Sequence, residues 1–232
     1  IYNYKDIQSK IESEFGKIQW KGNSDTEVVL YAFSMWGVKK TLEQCNGMYA
    51  FALWDKKEEK LILGRDRMGQ KPLYYGFADN HFIFGSELKS LKQHPSWKGV
   101  VDTESLDIYL RTGYVPTPYS IYEGVNKLLP STFLEICKQD IKNKKLKDPI
   151  EYWSIKHVYE KGKNTSISLS NNLKNIESIL TDAIEKRSIS DVPLGAFLSG
   201  GYDSSLIVAL MQKNSESKID SFSIGFHENK FN

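Results

Sequence analysis

The residues with the clearest chemical potential lie in the stretch 194–205, where a short apolar run leads into Ser199-Gly200-Gly201-Tyr202-Asp203-Ser204. An apolar run without glycine or proline follows, so the order of residue types predicts a strand, a tight loop and a helix. Glycines let the main chain approach a ligand, and the first N–H groups of a helix attract anions. Ser199, Ser204 and Ser205 add hydroxyl donors. Phosphate is the anion that these features fit best.

The same loop offers one acidic group, Asp203, which could hold a divalent cation such as Mg2+ on the phosphates rather than touch them itself. The loop is not a Walker A motif, because the sequence contains no G-x-x-x-x-G-K-[ST] and the first lysine after the turn is Lys213. S-G-G-x-D-S after an apolar strand instead resembles the pyrophosphate loop of enzymes that cleave ATP between its α and β phosphates. The alternative is a glycine turn with an Asp/Ser helix cap.

A second candidate residue, Asp25, is predicted to lie at the N-terminus of a helix. Ser24 and Glu27 form an S-x-x-E capping box, and the apolar positions that follow predict a helix that Gly37 ends. An acidic residue in a first helical turn usually stabilises the helix dipole. The residues alone therefore favour a structural role for Asp25.

The elements around these candidates predict an α+β domain. An amphipathic helix over Tyr4–Phe15 and a strand over Lys17–Lys21 come first. Four later strands are joined by short connections, which require antiparallel neighbours and predict a meander. Uninterrupted apolar runs indicate that helices or a second sheet cover both faces. These strands are predicted at 48–54, 61–64, 73–77 and 81–85.

The loop Arg65-Asp66-Arg67 leaves two interpretations open, a salt-bridged turn between strands or a recognition site. Further on, Asp102 predicts the cap of a helix over 103–111, and a strand follows at 133–137. The lysine-rich stretch 138–149 indicates a solvated hairpin tip. Beyond it the pattern predicts a helix that includes Leu173 and Ile184, the strand that enters the glycine loop, and a strand over Lys218–Phe226.

Composition excludes several classes of protein. The 232 residues are 40% hydrophobic, which is ample for packed cores, and the net charge of +2 gives no basic field for nucleic acid. The absence of a long apolar run, a signal peptide and a lipidation motif predicts no membrane partner and a cytoplasmic location. Cys45 and Cys137 are isolated thiols, and the four histidines are scattered, so a disulfide framework and a metal cage are not expected.

Taken together, these motifs make the chain similar to the glutamine-hydrolysing asparagine synthetases of the B type, over essentially its whole length. The matching segments are Ile1-Tyr2-Asn3, Ser24-Asp25-Thr26-Glu27, 46–55, 65–75, Gly85-Ser86-Glu87-Leu88-Lys89, Gly113-Tyr114-Val115-Pro116, 190–195, 199–205 and 221–226.

The resemblance implies a fold and a set of roles. Residues 1–152 would form an α+β glutaminase domain of the N-terminal-nucleophile type, with stacked antiparallel sheets between helices. Residues 153–232 would begin an α/β synthetase domain with a parallel sheet of the ATP-pyrophosphatase type. Asp25 would bind the α-amino group of glutamine, in place of the structural role favoured above. Leu198 and Ile224 would line the adenine or AMP pocket, and the pyrophosphate would be held by Ser199, Gly200, Gly201, Asp203 and Ser204.

The implied reaction is ATP-dependent synthesis of asparagine. Mg-ATP would adenylate the aspartate β-carboxylate to β-aspartyl-AMP, and ammonia released from glutamine would pass through the protein to displace AMP. The implied partners are the small molecules glutamine, aspartate and ATP. The resemblance leaves open whether the protein forms a homodimer.

The departures from the family pattern leave alternatives. The nucleophilic N-terminal cysteine is expected upstream of Ile1, so residues 1–232 are interpreted as an internal segment that holds no catalytic glutaminase residue and is inactive alone. A second hypothesis keeps the chemistry but changes the acceptor to another carboxylate or a sugar in cell-surface polysaccharide synthesis. A third is a glutaminase-like module without catalysis, retained for binding.

Overall fold

The structure is a computed structural model that describes residues 1–163, 169–190 and 192–225. Contacts between Cα atoms divide the chain into two compact units. One contains Ile1 and Asn3–Lys161, and the other contains Tyr2 and the chain from Gly162 onward. The domain boundary predicted after Tyr152 stays a prediction.

The first unit combines helices with two antiparallel sheets. Its helices are α1 (Tyr4–Phe15), α2 (Asp25–Trp36), α3 (Val38–Gln44), α4 (Leu88–Leu91), α5 (Thr103–Thr112), α6 (Lys138–Lys142) and α7 (Ile155–Gly162), the last of which ends at the boundary between the units. Its strands are β1 (Ala50–Asp55), β2 (Lys60–Arg65), β3 (Tyr74–Ala78), β4 (His81–Gly85), β5 (Val125–Lys127), β6 (Thr132–Cys137) and β7 (Ile150–Glu151). The strand order is β1-β2-β6-β7 in sheet A and β4-β3-β5 in sheet B.

The two sheets pack against each other, and each also packs against helices. Leu63 of β2 and Tyr75 of β3 belong to one buried cluster between the sheets. The neighbouring residue Ile62 points to the other face of sheet A, where it packs with Leu42 of α3. On the outer face of sheet B, Ile83 packs with Leu91 of α4. Alternate residues therefore serve opposite apolar layers, which confirms the prediction that both faces are covered.

The helix predicted over Tyr4–Phe15 and the strand over His81–Gly85 are confirmed with those bounds. The single meander is wrong, because β1-β2 and β3-β4 are hairpins in different sheets. Strands from later in the chain separate them, since β6 pairs with β2 and β5 pairs with β3. Short turns determine which strands form a hairpin, but they do not determine which hairpins share a sheet.

The strand predicted over Lys17–Lys21 is also wrong, since these residues lie outside helices and strands. Ile18 and Trp20 instead pack against the buried cluster formed mainly by α1 and α2. Their alternation reflects contact with a helical surface rather than pairing in a sheet. The lysine-rich stretch predicted as a hairpin tip contains the short helix α6.

The second unit contains two helices and a short parallel pair of strands among its described residues. They are α8 (Leu169–Arg187), β8 (Gly195–Phe197), α9 (Tyr202–Lys213) and β9 (Asp220–Phe222). Ala196 of β8 lies opposite Ser221 of β9. The last predicted strand is thus shorter than 218–226, and Phe226 lies outside the described residues. Several large apolar side chains of this unit are exposed, including Phe197 at 80% and Ile224 at 81%.

Within the described ranges, the helices are too short or too polar to cross a membrane.

Candidate functional site

A cavity of about 290 Å³ opens beside the N-terminus of α2. Asp25 and Thr26 contribute polar groups to its wall, while Val29, Phe33 and Tyr49 contribute apolar surface. A single carboxylate beside mainly apolar side chains suits a small ligand that carries one cationic group on a short carbon chain.

The turn before α2 leaves the carboxylate of Asp25 available to the cavity. Ser24 caps the helix as predicted, and its Oγ accepts a hydrogen bond from Thr26 N at 3.2 Å. The other half of the predicted capping box is wrong, because the Glu27 carboxylate accepts from Lys21 N and Gly22 N, each at 2.9 Å. Glu27 therefore accepts hydrogen bonds from the loop before the helix, and not from the N–H of Ser24 as a capping box would require.

The α-ammonium group of Ile1 forms an ion pair and a hydrogen bond with Oδ2 of Asp25. Partial burial raises the pKa of Asp25, but the hydrogen bond and the charge of this ammonium outweigh burial, and the pKa lies below its usual 3.8. The Asp25 side chain is 38% exposed, so solvent screens much of the attraction. The Asp25 carboxylate thus lies at the edge of the cavity.

Cys45 also lines this cavity, but its thiol is poorly suited to act as a nucleophile. The residue is 1% exposed, and burial raises its pKa to about 11 despite the nearby charges of the Ile1 ammonium and Arg67. Since the thiolate is the reactive form, Cys45 is almost entirely protonated and unreactive at neutral pH. Burial of its thiol therefore argues against Cys45 as a glutaminase nucleophile.

In the loop between β2 and β3, the side chains of Arg65 and Asp66 bind the backbone rather than each other. Asp66 is 1% exposed, and its carboxylate accepts hydrogen bonds from Met68 N, Gln70 N and Lys71 N at 2.9–3.1 Å. Arg65 donates to the carbonyl groups of Gly69, Lys71 and Leu128 at 2.6–2.8 Å. The two charged side chains therefore satisfy backbone groups, with Asp66 binding N–H groups of its own loop and Arg65 binding carbonyls of this loop and of Leu128 just after β5.

The second unit forms the predicted turn at the start of α9. Gly200 has a φ of +80°, a conformation that favours glycine, and no atom lies within 4 Å of where a Cβ would be. Gly201 has ordinary extended angles and serves as the N-cap. The first helical hydrogen bond runs from Ser205 N to Gly201 O at 3.1 Å, and no side chain caps the helix. The first N–H groups of α9 therefore remain available to a ligand.

The hydroxyl groups of the loop lie close together. Ser199 Oγ is 3.0 Å from Ser204 Oγ, which also lies 3.1 Å from Gly201 O. Asp203 is exposed in the first turn of α9. The described parts of the chain contain no group of three potential metal ligands, so Asp203 does not belong to a preformed cation site.

Leu198 and Ile224 lie just after β8 and β9, whose parallel pairing brings their carboxyl ends to one edge. Leu198 N donates to Phe222 O at 2.8 Å, and Ser223 Oγ donates to Leu198 O at 2.6 Å. The structure thus brings all seven residues predicted to bind the nucleotide to the carboxyl ends of the parallel strands, where α/β sheets commonly bind ligands. Asp25 belongs to the other unit.

Comparison with known proteins identifies two regions. A family model described as glutamine amidotransferase domain matches residues 1–153, and one described as asparagine synthase matches residues 175–232. "Putative asparagine synthetase [glutamine-hydrolyzing] 2" of Methanocaldococcus jannaschii is 36% identical over 97% of this chain. "Asparagine synthetase [glutamine-hydrolyzing] 3" of Bacillus subtilis is 32% identical over 99% of it.

"Amidase chry2" of Gibberella zeae is 28% identical over 91% of this chain. The chain spans 42% of the length of the M. jannaschii relative, 36% of the B. subtilis relative and 29% of the G. zeae relative.

Proposed function

This chain belongs to the family of glutamine amidotransferase domains, and from that premise we propose that it is part of an asparagine synthetase that takes its amide nitrogen from glutamine. The observation that carries the proposal is the order of the two matched regions, an amidotransferase domain followed directly by the start of an asparagine synthase domain. The two stacked antiparallel sheets between helices support an N-terminal-nucleophile type of glutaminase fold for the first unit.

Asp25 is proposed to bind the α-ammonium group of glutamine. The support for this assignment is the position of the Asp25 carboxylate, in the first turn of α2 and in the wall of the cavity. A charge-assisted hydrogen bond of this kind contributes about 1.5–3 kcal/mol. The apolar wall beside Asp25 would accommodate the two methylene groups of glutamine. The nucleophilic cysteine is proposed to lie outside residues 1–232.

The loop 199–204 is proposed to hold the pyrophosphate part of ATP. Its uncapped helix N-terminus fits a phosphate group, because no side chain accepts from its first N–H groups, and the hydroxyls of Ser199 and Ser204 lie close together in the same loop. The loop offers few protein ligands for Mg2+. With Asp203 as the one carboxylate of the loop, the ion would be coordinated mainly by phosphate oxygens and water.

The proposed reaction couples two chemical steps on aspartate to the hydrolysis of glutamine. The aspartate β-carboxylate oxygen would attack the α-phosphorus of ATP and release pyrophosphate, which gives β-aspartyl-AMP. Ammonia from glutamine would then attack the activated carbonyl carbon, form the amide bond and release AMP. Glutamine leaves the glutaminase site as glutamate, with water supplying the new hydroxyl oxygen.

A second candidate function is the same nitrogen transfer to a different acceptor. It is favoured by the similarity to "Amidase chry2", which covers 91% of this chain although that protein is not named as an asparagine synthetase. A binding module without catalysis is the third candidate.

The acceptor can be tested by measuring pyrophosphate release by the full-length protein with ATP and different carboxylates. We expect release to depend on aspartate and to be at least about tenfold slower with glutamate, whose additional methylene group must be excluded from the acceptor site. Equal release with glutamate or with a sugar acid would favour the second candidate. A full-length protein that hydrolyses glutamine but releases no pyrophosphate with any acceptor would contradict the synthetase assignment.

A further inference from the structure

Tyr49 forms part of the cavity wall beside Asp25 and is linked to the dipeptide Arg65-Asp66 twice, directly through its backbone and through Tyr152 from its hydroxyl. Its main-chain N–H donates to Asp66 Oδ2 at 3.3 Å, and its carbonyl accepts from Asp66 N at 2.9 Å. Its hydroxyl lies 2.9 Å from the hydroxyl of Tyr152, which donates to Arg65 O at 2.7 Å. Tyr49, Tyr152, Arg65 and Asp66 thus form a closed ring of hydrogen bonds, which we call the tyrosine clamp.

The direction of the hydrogen bonds in the clamp is determined by the carbonyl group. A carbonyl can only accept, so the Tyr152 proton goes to Arg65 O, and Tyr49 must donate its own proton to Tyr152. Burial raises the pKa of Tyr152 to about 12 and raises that of Tyr49 as well. Both hydroxyls therefore keep their protons at neutral pH, and the order of donors does not change over the range in which an enzyme of this kind works.

The base of the clamp is rigid because Asp66 and Arg65 also close the loop between β2 and β3. Asp66 is 1% exposed, and Tyr152 is 6% exposed. Tyr49 itself packs against both neighbouring clusters, one that contains Cys45 and one that contains Phe133. The hydroxyl contact with Tyr152 adds a directional anchor to this packing.

We propose that the tyrosine clamp is a positioning device for the glutaminase reaction, in which Tyr152, Arg65 and Asp66 hold the Tyr49 ring where it confines the side chain of glutamine. This inference rests on the proposed function of the cavity. It assigns a role to Arg65 and Asp66 that acts through Tyr49, and it makes Tyr49 a determinant of the affinity for glutamine rather than of the chemical step.

The test uses Tyr49→Phe, Tyr152→Phe and the double variant in the full-length protein. Each single variant should raise the KM for glutamine by up to about tenfold, the range expected for one lost hydrogen bond, with little change in kcat. The double variant should lose no more than the larger single effect, because both substitutions remove the same contact. Ammonia-dependent synthesis and the thermal midpoint distinguish positioning from a general loss of structure, which would lower both.

Tyr75→Phe is the matched control, since Tyr75 is a buried tyrosine of the cluster between the sheets and lies outside the clamp. Its KM for glutamine should equal that of the wild type. An unchanged KM in Tyr49→Phe, or losses that multiply in the double variant, would overturn the clamp alone. A wild-type protein that hydrolyses no glutamine would overturn the proposed function and the inference with it.

Discussion

Replacing Asp203 by alanine in the full-length protein should abolish ATP–pyrophosphate exchange and leave glutamine hydrolysis nearly intact. Asp203 lies in the first turn of α9, next to the uncapped N–H groups and the clustered hydroxyls of the loop. In the proposed site its carboxylate helps to hold Mg2+ on the phosphates, so its loss leaves the phosphate charge without that support. Exchange measures adenylation and its reversal, and it requires no glutamine.

Glu216→Ala is the control for this experiment, because Glu216 is an exposed acidic residue just after the same helix. It should keep full exchange activity. Unchanged exchange in Asp203→Ala, or loss of both exchange and glutamine hydrolysis in a folded variant, would count against the assignment of the loop.

Asp25→Asn should weaken the use of glutamine by about ten- to a hundredfold in kcat/KM, with ammonia-dependent synthesis spared. Asparagine keeps the size of the side chain but removes the charge that binds the ligand ammonium.

The competing explanation of Asp25, stabilisation of the helix dipole, has its own control. Glu104→Gln removes an acidic residue from the first turn of α5, a helix whose cap is Asp102. If Asp25 only stabilises the helix dipole, Asp25→Asn and Glu104→Gln should have similar small effects on the thermal midpoint. If Asp25→Asn changes stability only to that extent and leaves glutamine use unchanged, Asp25 is a structural residue.

The sequence predicted those features that depend on neighbouring residues. The bounds of α1 and β4, the caps Ser24 and Asp102, and the turn at Gly200 all follow from local patterns, and the structure agrees. These features need only a periodicity, a capping side chain or a glycine within a few positions.

Features that depend on distant residues were predicted less well. The placement of β6 beside β2, and thus the division into two sheets, results from burial on both faces rather than from any turn. The role of Asp66 was missed because its partners are backbone N–H groups, which residue types do not reveal. An aspartate in a loop with glycine and proline was the available signal, since such loops need acceptors for their N–H groups.

The transfer of the glutamine amide nitrogen is the central claim, and one measurement tests it directly. The full-length protein would be incubated with ATP, aspartate and glutamine labelled with ¹⁵N in the side-chain amide, and the products analysed by mass spectrometry. We expect ¹⁵N in the amide of asparagine, with AMP and pyrophosphate formed in equal amounts. Formation of ADP and phosphate, or unlabelled product while glutamine is consumed, would contradict the proposed reaction.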